Sequence, residues 1–151
     1  MQYKHSASNR LRKGRVSLAG QVYLVTFATH DRRRLFDNPQ LAALFSKACM
    51  DRRLWQEAEL LAWVLMPDHW HGLVQLGGNG VLSRIVQRLK ANTSKAVAIR
   101  GAPVWQPGFH DRAIAGERTM HAAADYLLDN PLRAGLVESI EHWPWRYAVW
   151  D

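Results

Sequence analysis

The spacing of apolar residues along the chain predicts four β-strands. Tyr23, Val25 and Phe27 stand at alternate positions, which is typical of a strand with one buried face. Residues 66–68, Met-Pro-Asp, have the composition of a turn and separate two apolar runs, so these runs are expected to form a hairpin. The predicted strands cover residues 21–29, 58–66, 69–76 and 104–114, with a bend in the last one near Pro107-Gly108.

Apolar residues three and four positions apart predict three helices. The first is expected to begin at Pro39, since Asn38 is a typical cap and proline is favoured at the first helical position. The second is expected over residues 81 to about 100, and the third between a Thr119 cap and Pro131. The expected buried stripes are Leu41, Leu44, Phe45, Ala48 and Leu54 or Trp55; then Leu82, Ile85, Val86 and Leu89; then Met120, Ala123, Ala124, Leu127 and Leu128.

The order strand, helix, strand, strand, helix, strand is that of a ferredoxin-like split β-α-β unit. It predicts an α+β fold with an antiparallel sheet and both crossover helices on one face. Successive strand residues point to opposite faces, so we assign Trp70, Val74 and Leu76 to the core. His69 and His71 then project from the other face, which is expected to be open.

Composition indicates a nucleic-acid partner. The 151 residues include 20 Lys and Arg against 13 Asp and Glu, a net charge of +7, and each phosphate that such a protein neutralises releases counterions. Seven Trp residues add flat surfaces on which unpaired bases can stack. The length fits a single domain at residues 21–151, preceded by a basic arm at residues 1–20. The arm's candidate DNA-binding residues are Arg10, Arg12, Lys13 and Arg15.

The sequence also predicts that the protein is located in a reducing compartment and is not embedded in a membrane. A single cysteine, Cys49, excludes an internal disulfide framework. No apolar run reaches the roughly 20 residues of a membrane span, and the polar start is unlike a signal peptide. We therefore expect a cytoplasmic protein.

Two clusters of residues carry candidate chemistry. His69 and His71 lie two positions apart on a strand, so their imidazoles can converge on one cation, although two ordinary histidines on a half-buried strand fit the same pattern. Tyr126 and Asn130 lie four positions apart on the third helix and are expected to share a face. Two imidazoles and one amide oxygen suit an octahedral Mn²⁺ or Mg²⁺ ion better than they suit a tetrahedral Zn²⁺ ion.

Four ordered blocks of sequence resemble a known family. Residues 66–74, Met-Pro-Asp-His-Trp-His-Gly-Leu-Val, and residues 126–137, Tyr-Leu-Leu-Asp-Asn-Pro-Leu-Arg-Ala-Gly-Leu-Val, are similar to motifs of the single-tyrosine HUH transposases, specifically the REP-associated tyrosine transposase group. Residues 23–30 and 105–111 also resemble blocks of that group. The resemblance extends from about Gly20 to the C-terminus. Position 129 departs from it, because the family often has His where this chain has Asp.

The resemblance implies an HUH endonuclease fold and a metal-dependent reaction on single-stranded DNA. Tyr126 would be the nucleophile that forms a 5′-phosphotyrosine, and Asn130 would join His69 and His71 as the third ligand of Mg²⁺ or Mn²⁺. The implied substrates are imperfect hairpins of repetitive extragenic palindromes, with the N-terminal region holding the foot of the hairpin. The group is expected to act as a monomer in the bacterial cytoplasm, while some other relatives share active sites across a dimer.

Other basic residues and two other functions remain open. The cluster Arg32, Arg33 and Arg34 follows the first strand, and Arg84 and Arg88 lie on the second helix; each set is either a solvated surface or a DNA contact. One alternative function is a metal-dependent phosphodiesterase in which Tyr126 only packs. The other is a non-catalytic module that binds single-stranded nucleic acid. The ligands of the phosphodiesterase would be Asp68, His69, His71, His110 and Asp111.

Overall fold

A computed structural model describes residues 20–151. The predicted basic arm, with Arg10, Arg12, Lys13 and Arg15, therefore lies outside the described residues apart from Gly20. The predicted order of the first six elements is confirmed. The elements are β1 Val22–Ala28, α1 Pro39–Cys49, β2 Ala58–Met66, β3 His69–Leu76, α2 Leu82–Val97, β4 His110–Ile114, α3 Glu117–Leu128, α4 Asn130–Arg133 and β5 Arg146–Ala148.

The five strands form one antiparallel sheet in the order β4-β1-β3-β2-β5. The first four strands have the ferredoxin-like order, so the predicted α+β fold is confirmed. The short β5 adds a fifth strand beside β2. Among the helices of residues 20–151, none is long and apolar enough to cross a membrane.

The first helix begins where the sequence predicts, but its buried stripe is rotated. The Asn38 side chain accepts hydrogen bonds from the backbone N–H groups of Gln40 and Leu41, and Pro39 is the first helical residue. The expected stripe was wrong in part, because Leu44 is 45% exposed. The buried residues of α1 are instead Ala42, Phe45 and Cys49, whose spacing of three and four places them on one side of the helix.

Two boundaries in the second half of the chain differ from the prediction. The predicted strand 104–114 is regular only from His110, because Pro107 lacks an N–H donor and Gly108 has a φ of 79°. The third helix begins at Glu117, after Gly116 with a φ of 86°, so Thr119 is not its cap. It ends at Leu128, where Asp129 separates it from the short helix α4.

One face of the sheet is covered by both crossover helices, as predicted. Trp70 is fully buried on this face and stacks on Phe27, with 5.0 Å between ring centroids. Its ring also lies over Gly72, where a Cβ atom would come within 2.1 Å of it. Glycine at position 72 is therefore a packing requirement of Trp70. The core here includes Tyr23, Val25, Phe45, Leu65, Val74, Leu76, Ile85 and Leu89.

The opposite face carries a second core and is not open, contrary to the prediction. Helix α3 buries Ala124 and Leu127 against it, together with Leu73 of β3 and Val64 of β2. The apolar stripe of α3 has to be buried somewhere, and this face offers the apolar partner. His69 and His71 project from the same face, so α3 brings its own side chains towards them.

Candidate active site

His69 and His71 form a close pair on the α3 face of β3. Their ring centroids are 4.7 Å apart and their planes are nearly perpendicular, at 88°. The face assignment made from strand alternation is therefore correct for both. The pair lies where β3 leaves the tight turn at Pro67-Asp68, which fixes the start of the strand.

Each histidine is anchored through Nδ1. A carboxylate oxygen of Asp68 lies 2.7 Å from Nδ1 of His69, and the hydroxyl oxygen of Thr26 lies 2.8 Å from Nδ1 of His71. Thr26 reaches His71 because β1 and β3 pair these two residues directly. Such anchoring fixes the ring orientation and leaves Nε2 as the available ligand atom, which is typical of metal-binding histidines.

Burial favours the neutral, ligating form of both imidazoles. Burial lowers the pKa of His71 to about 3, and the positive charges of His69, Arg133 and Arg32 act in the same direction. Burial also lowers the pKa of His69, although its hydrogen bond to Asp68 partly opposes this effect. At neutral pH His71 is therefore uncharged and can donate a lone pair to a cation.

A pocket of about 490 Å³ separates α3 from this part of the sheet. Tyr126, Asn130 and His71 all line it, together with Arg112 of β4 and Thr119. The side chain of Tyr126 is 68% exposed, which is unusual for a large aromatic residue in a small domain. The predicted neighbourhood of Tyr126, Asn130 and His71 is thus present in the fold.

The route by which Asn130 reaches the pocket differs from the prediction. Tyr126 and Asn130 were expected on one face of a single helix, but α3 ends at Leu128 and Asn130 begins α4. Asp129 separates the two helices and is exposed. The last residue of α4, Arg133, places its guanidinium carbon 3.6 Å from the centroid of the Tyr126 ring. Helix α4 therefore contributes two side chains beside the tyrosine.

Three residues could hold the predicted cation. Residues 20–151 contain no group of three or more His, Cys, Asp or Glu side chains placed to hold a metal ion. The amide of Asn130 lines the same pocket as His71 and could supply a further ligand atom. Two anchored imidazoles and one amide oxygen suit Mn²⁺ or Mg²⁺. His69, His71 and Asn130 are the residues that could hold the ion.

The structure separates the three neighbouring arginines. Arg32 donates from Nε to Asp68, at 3.1 Å, and so lies beside His69. Arg33 instead donates to the backbone carbonyls of His30 and Pro103. Arg34 pairs with Asp37 on the surface. Only Arg32 of this cluster is brought to the histidine pair, by a backbone in which Asp31 and Arg32 have φ values of 57° and 51°.

The other candidate DNA-binding arginines lie on the opposite side of the sheet. Arg84 and Arg88 are exposed on α2, which covers the face away from the histidines. Arg88 lies 3.3 Å from a carboxylate oxygen of Glu57. Neither residue is brought to the pocket of Tyr126.

The proposed metal ligands of the alternative function, a phosphodiesterase, lie on opposite faces of the sheet. His110 pairs with Thr26, so it shares the face of His71, two strands away. Asp111 pairs with Val25 and points to the opposite, fully packed face. The five residues of that alternative therefore do not gather around one ion.

Three residues at the site escaped the sequence reasoning. Arg112 is two positions after His110, so strand alternation was a usable signal for its face. Arg133 belongs to the block that resembles the family, but its position in the sequence did not predict a contact with Tyr126. Thr26 carries no local signal, because its contact with His71 depends on the register between two strands.

Comparison with known proteins agrees with this geometry. Residues 17–129 match the family model described as IS200-like transposase. The chain is 30% identical over 87 residues to the REP-associated tyrosine transposase of Escherichia coli K12, an alignment that covers 57% of this chain and 52% of that protein. The chain thus spans about half the length of that relative. A Haemophilus influenzae protein provisionally given the same name is 24% identical over 142 residues, covering 83% of this chain and 78% of its own length.

A solved structure extends the comparison to the fold. A REP-associated tyrosine transposase bound to a REP hairpin superposes on 87% of this chain and 79% of its own, with a TM-score of 0.70 and 25% sequence identity. The family model covers well over half of the chain. The chain therefore belongs to the IS200-like transposase family, and it resembles the REP-associated tyrosine transposases in both sequence and fold.

Proposed function

We propose that this transposase is a metal-dependent single-stranded DNA endonuclease and strand transferase with Tyr126 as its nucleophile. The observation that carries the proposal is the single pocket that Tyr126 shares with His71 and Asn130. An exposed phenol that shares a pocket with an anchored, uncharged imidazole supports a covalent reaction, because it combines a nucleophile with a group that can bind an activating metal ion.

The residues around the proposed metal ion have separate roles. His69, His71 and Asn130 would bind the ion, while Asp68 and Thr26 hold the two imidazoles in place. A bound Mg²⁺ or Mn²⁺ would polarise the non-bridging oxygens of one phosphodiester. The metal-binding residues thus define where the scissile phosphate lies relative to Tyr126.

The proposed reaction replaces one phosphodiester by another. The phenolic oxygen of Tyr126 bonds to the phosphorus as the bond to the 3′-oxygen breaks in line, and the 3′-oxygen takes up a proton as the phenol loses one. The products are a 5′-phosphotyrosine and a free 3′-hydroxyl. A phenolate, with a pKa of about 10 for its acid, leaves more readily than an alkoxide, so an incoming 3′-hydroxyl can reverse the link. This reversibility allows strand transfer.

We propose DNA hairpins of repetitive extragenic palindromes as the substrate. The support comes from the similar protein that was solved with a REP hairpin and from the net charge of +7. Near the pocket, Arg32 and Arg112 would contact phosphates, because Arg32 lies beside the histidine pair and Arg112 lines the pocket. The arm residues Arg10, Arg12, Lys13 and Arg15 would hold the foot of the hairpin, and Arg84 and Arg88 remain candidates for contacts away from the active site.

We also propose that one copy of the chain is enough for the reaction. The support is that Tyr126 lines the same pocket as His71 and Asn130 of its own chain, so these three residues can act together within one copy. Mixing Tyr126→Phe with His71→Gln protein should then restore no activity. Recovery of activity in the mixture would show that the active site is shared across a dimer.

A cleavage assay tests the proposal. A labelled single-stranded hairpin is incubated with the protein and Mn²⁺ or Mg²⁺, together with an unlabelled oligonucleotide that offers a 3′-hydroxyl, and is analysed on a denaturing gel. We expect cleavage and transfer that disappear with chelator and in Tyr126→Phe, but persist in Tyr147→Phe, which loses the same hydroxyl from β5. Cleavage that survives Tyr126→Phe would indicate a hydrolytic phosphodiesterase, and binding without cleavage would indicate a binding module.

A further inference from the structure

The ring of Tyr126 lies against a cation. Its side chain is 68% exposed, yet the guanidinium carbon of Arg133 is only 3.6 Å from the ring centroid. A planar guanidinium at this distance stacks on the aromatic face and is attracted by the ring quadrupole. This contact restrains an aromatic side chain that α3 otherwise leaves largely in solvent.

The backbone of α4 fixes Arg133 relative to the pocket. The N–H of Arg133 donates to the carbonyl of Asp129, and the N–H of Ala134 donates to that of Asn130, at 3.0 and 2.9 Å. Asn130 and Arg133 are three residues apart on this turn, so their side chains are neighbours. One short helix thus holds a proposed metal ligand and the cation that contacts the nucleophile.

We propose that Arg133 is a positioning residue that holds the phenol of Tyr126 at the mouth of the pocket, in line with the bound phosphate. The inference rests on the proposed covalent role of Tyr126. An exposed tyrosine has several staggered side-chain positions open to it, and only one of them aims the phenolic oxygen at a given phosphate. A stack on one face of the ring selects among these positions before DNA binds.

The stack itself can be tested without DNA. The protein is labelled with 3-fluorotyrosine, and the Tyr126 signal is assigned by its loss in Tyr126→Phe. We expect this ¹⁹F signal to move towards its unfolded position in Arg133→Met, which keeps the length of the side chain but removes the charged plane. The matched control is Arg118→Met, which removes an exposed arginine from the first turn of α3 and should leave the signal unchanged. An unmoved signal in Arg133→Met would overturn the inference.

The functional test is the single-turnover rate of DNA–protein adduct formation. We expect Arg133→Met to lower this rate by about 100-fold, since a nucleophile misplaced by about 1 Å loses that much. Its DNA affinity and melting temperature should match those of Arg118→Met. Arg133→Lys keeps the positive charge but lacks the planar guanidinium group. Its DNA affinity should therefore equal that of the wild type, while its rate of adduct formation should stay low.

The outcomes separate this inference from the proposed function. Wild-type protein that forms no adduct would overturn both. An adduct in the wild type, formed equally fast by Arg133→Met, would overturn the positioning role alone. Full recovery of the rate in Arg133→Lys would show that charge, and not stacking on Tyr126, is what matters.

Discussion

The two faces of the sheet have different compositions and different tasks. The face under α1 and α2 is filled with large aromatic side chains: Trp70 stacks on Phe27 with 5.0 Å between ring centroids, and Phe45 lies edge-on to Trp105 at 5.7 Å. The face under α3 buries smaller residues and ends in a pocket whose lining includes the polar side chains of His71, Arg112 and Asn130. The first face supplies most of the hydrophobic stabilisation, which lets the second carry polar groups that contribute little to it.

Strand β3 serves both faces at once. Trp70 points into the aromatic core, while His69 and His71 on either side of it point to the pocket. Because the side chains of a strand alternate, the position of Trp70 also fixes the direction of both imidazoles. Tight packing of one residue therefore determines the orientation of two others on the opposite side.

The largest expected difference is between Trp70→Ala and His71→Gln. Trp70→Ala should lower the free energy of unfolding by about 3–5 kcal/mol, a large part of the 5–15 kcal/mol typical of a domain. His71→Gln should leave the melting temperature close to that of the wild type, yet abolish detectable cleavage. Melting curves and the cleavage assay, run side by side, check this. An active Trp70→Ala protein with unchanged stability, or an unfolded His71→Gln protein, would contradict the division between the faces.

A smaller effect is expected from the residues that anchor the imidazoles. Thr26→Val and Asp68→Asn should each weaken Mn²⁺ binding by about 10–100-fold, the usual cost of losing an outer partner of a metal-bound histidine. Titration calorimetry of the DNA-free protein measures this directly. The control is Asp37→Asn, which removes a carboxylate that pairs with Arg34 away from the pocket. Equal affinities in all three variants would show that the two hydrogen bonds do not support metal binding.

The smallest expected effect tests the packing of Trp70 on its own strand. Gly72→Ala should destabilise the fold by about 1–3 kcal/mol, because the added methyl group forces the indole to shift within a filled core. Gly78→Ala is the control, since nothing lies within 4 Å of the added atom. Denaturant unfolding of both variants makes the comparison. Equal stabilities would mean that the aromatic face is less tightly packed than the structure indicates.

Features with a local cause were predictable from the sequence. The β2–β3 hairpin, the faces of Trp70 and His71 and the buried stripe of α2 all follow from periodicity and turn composition. The Asn38 cap of α1 follows from side-chain chemistry next to a proline. In each case the information lies within a few neighbouring residues.

Features that depend on tertiary packing were not predictable. The stripe of α1 is rotated towards Cys49, because the sheet and α2 decide which side of that helix is buried. Arg32 lies beside the histidine pair while Arg33 and Arg34 do not, because the loop there has positive φ values. The residue types in this loop did not predict that backbone conformation. The contact between Thr26 and His71 exists only because β1 and β3 pair in one register.

The most direct test of the account is to identify the residue that becomes joined to DNA. The protein is incubated with a single-stranded hairpin and Mn²⁺, denatured and digested, and the DNA-linked peptide is sequenced by mass spectrometry. We predict a nucleotide phosphate on Tyr126, which is absent with chelator and in His71→Gln. Efficient metal-dependent cleavage with no modified tyrosine, or with the phosphate on another residue, would contradict the assignment of Tyr126 as the nucleophile.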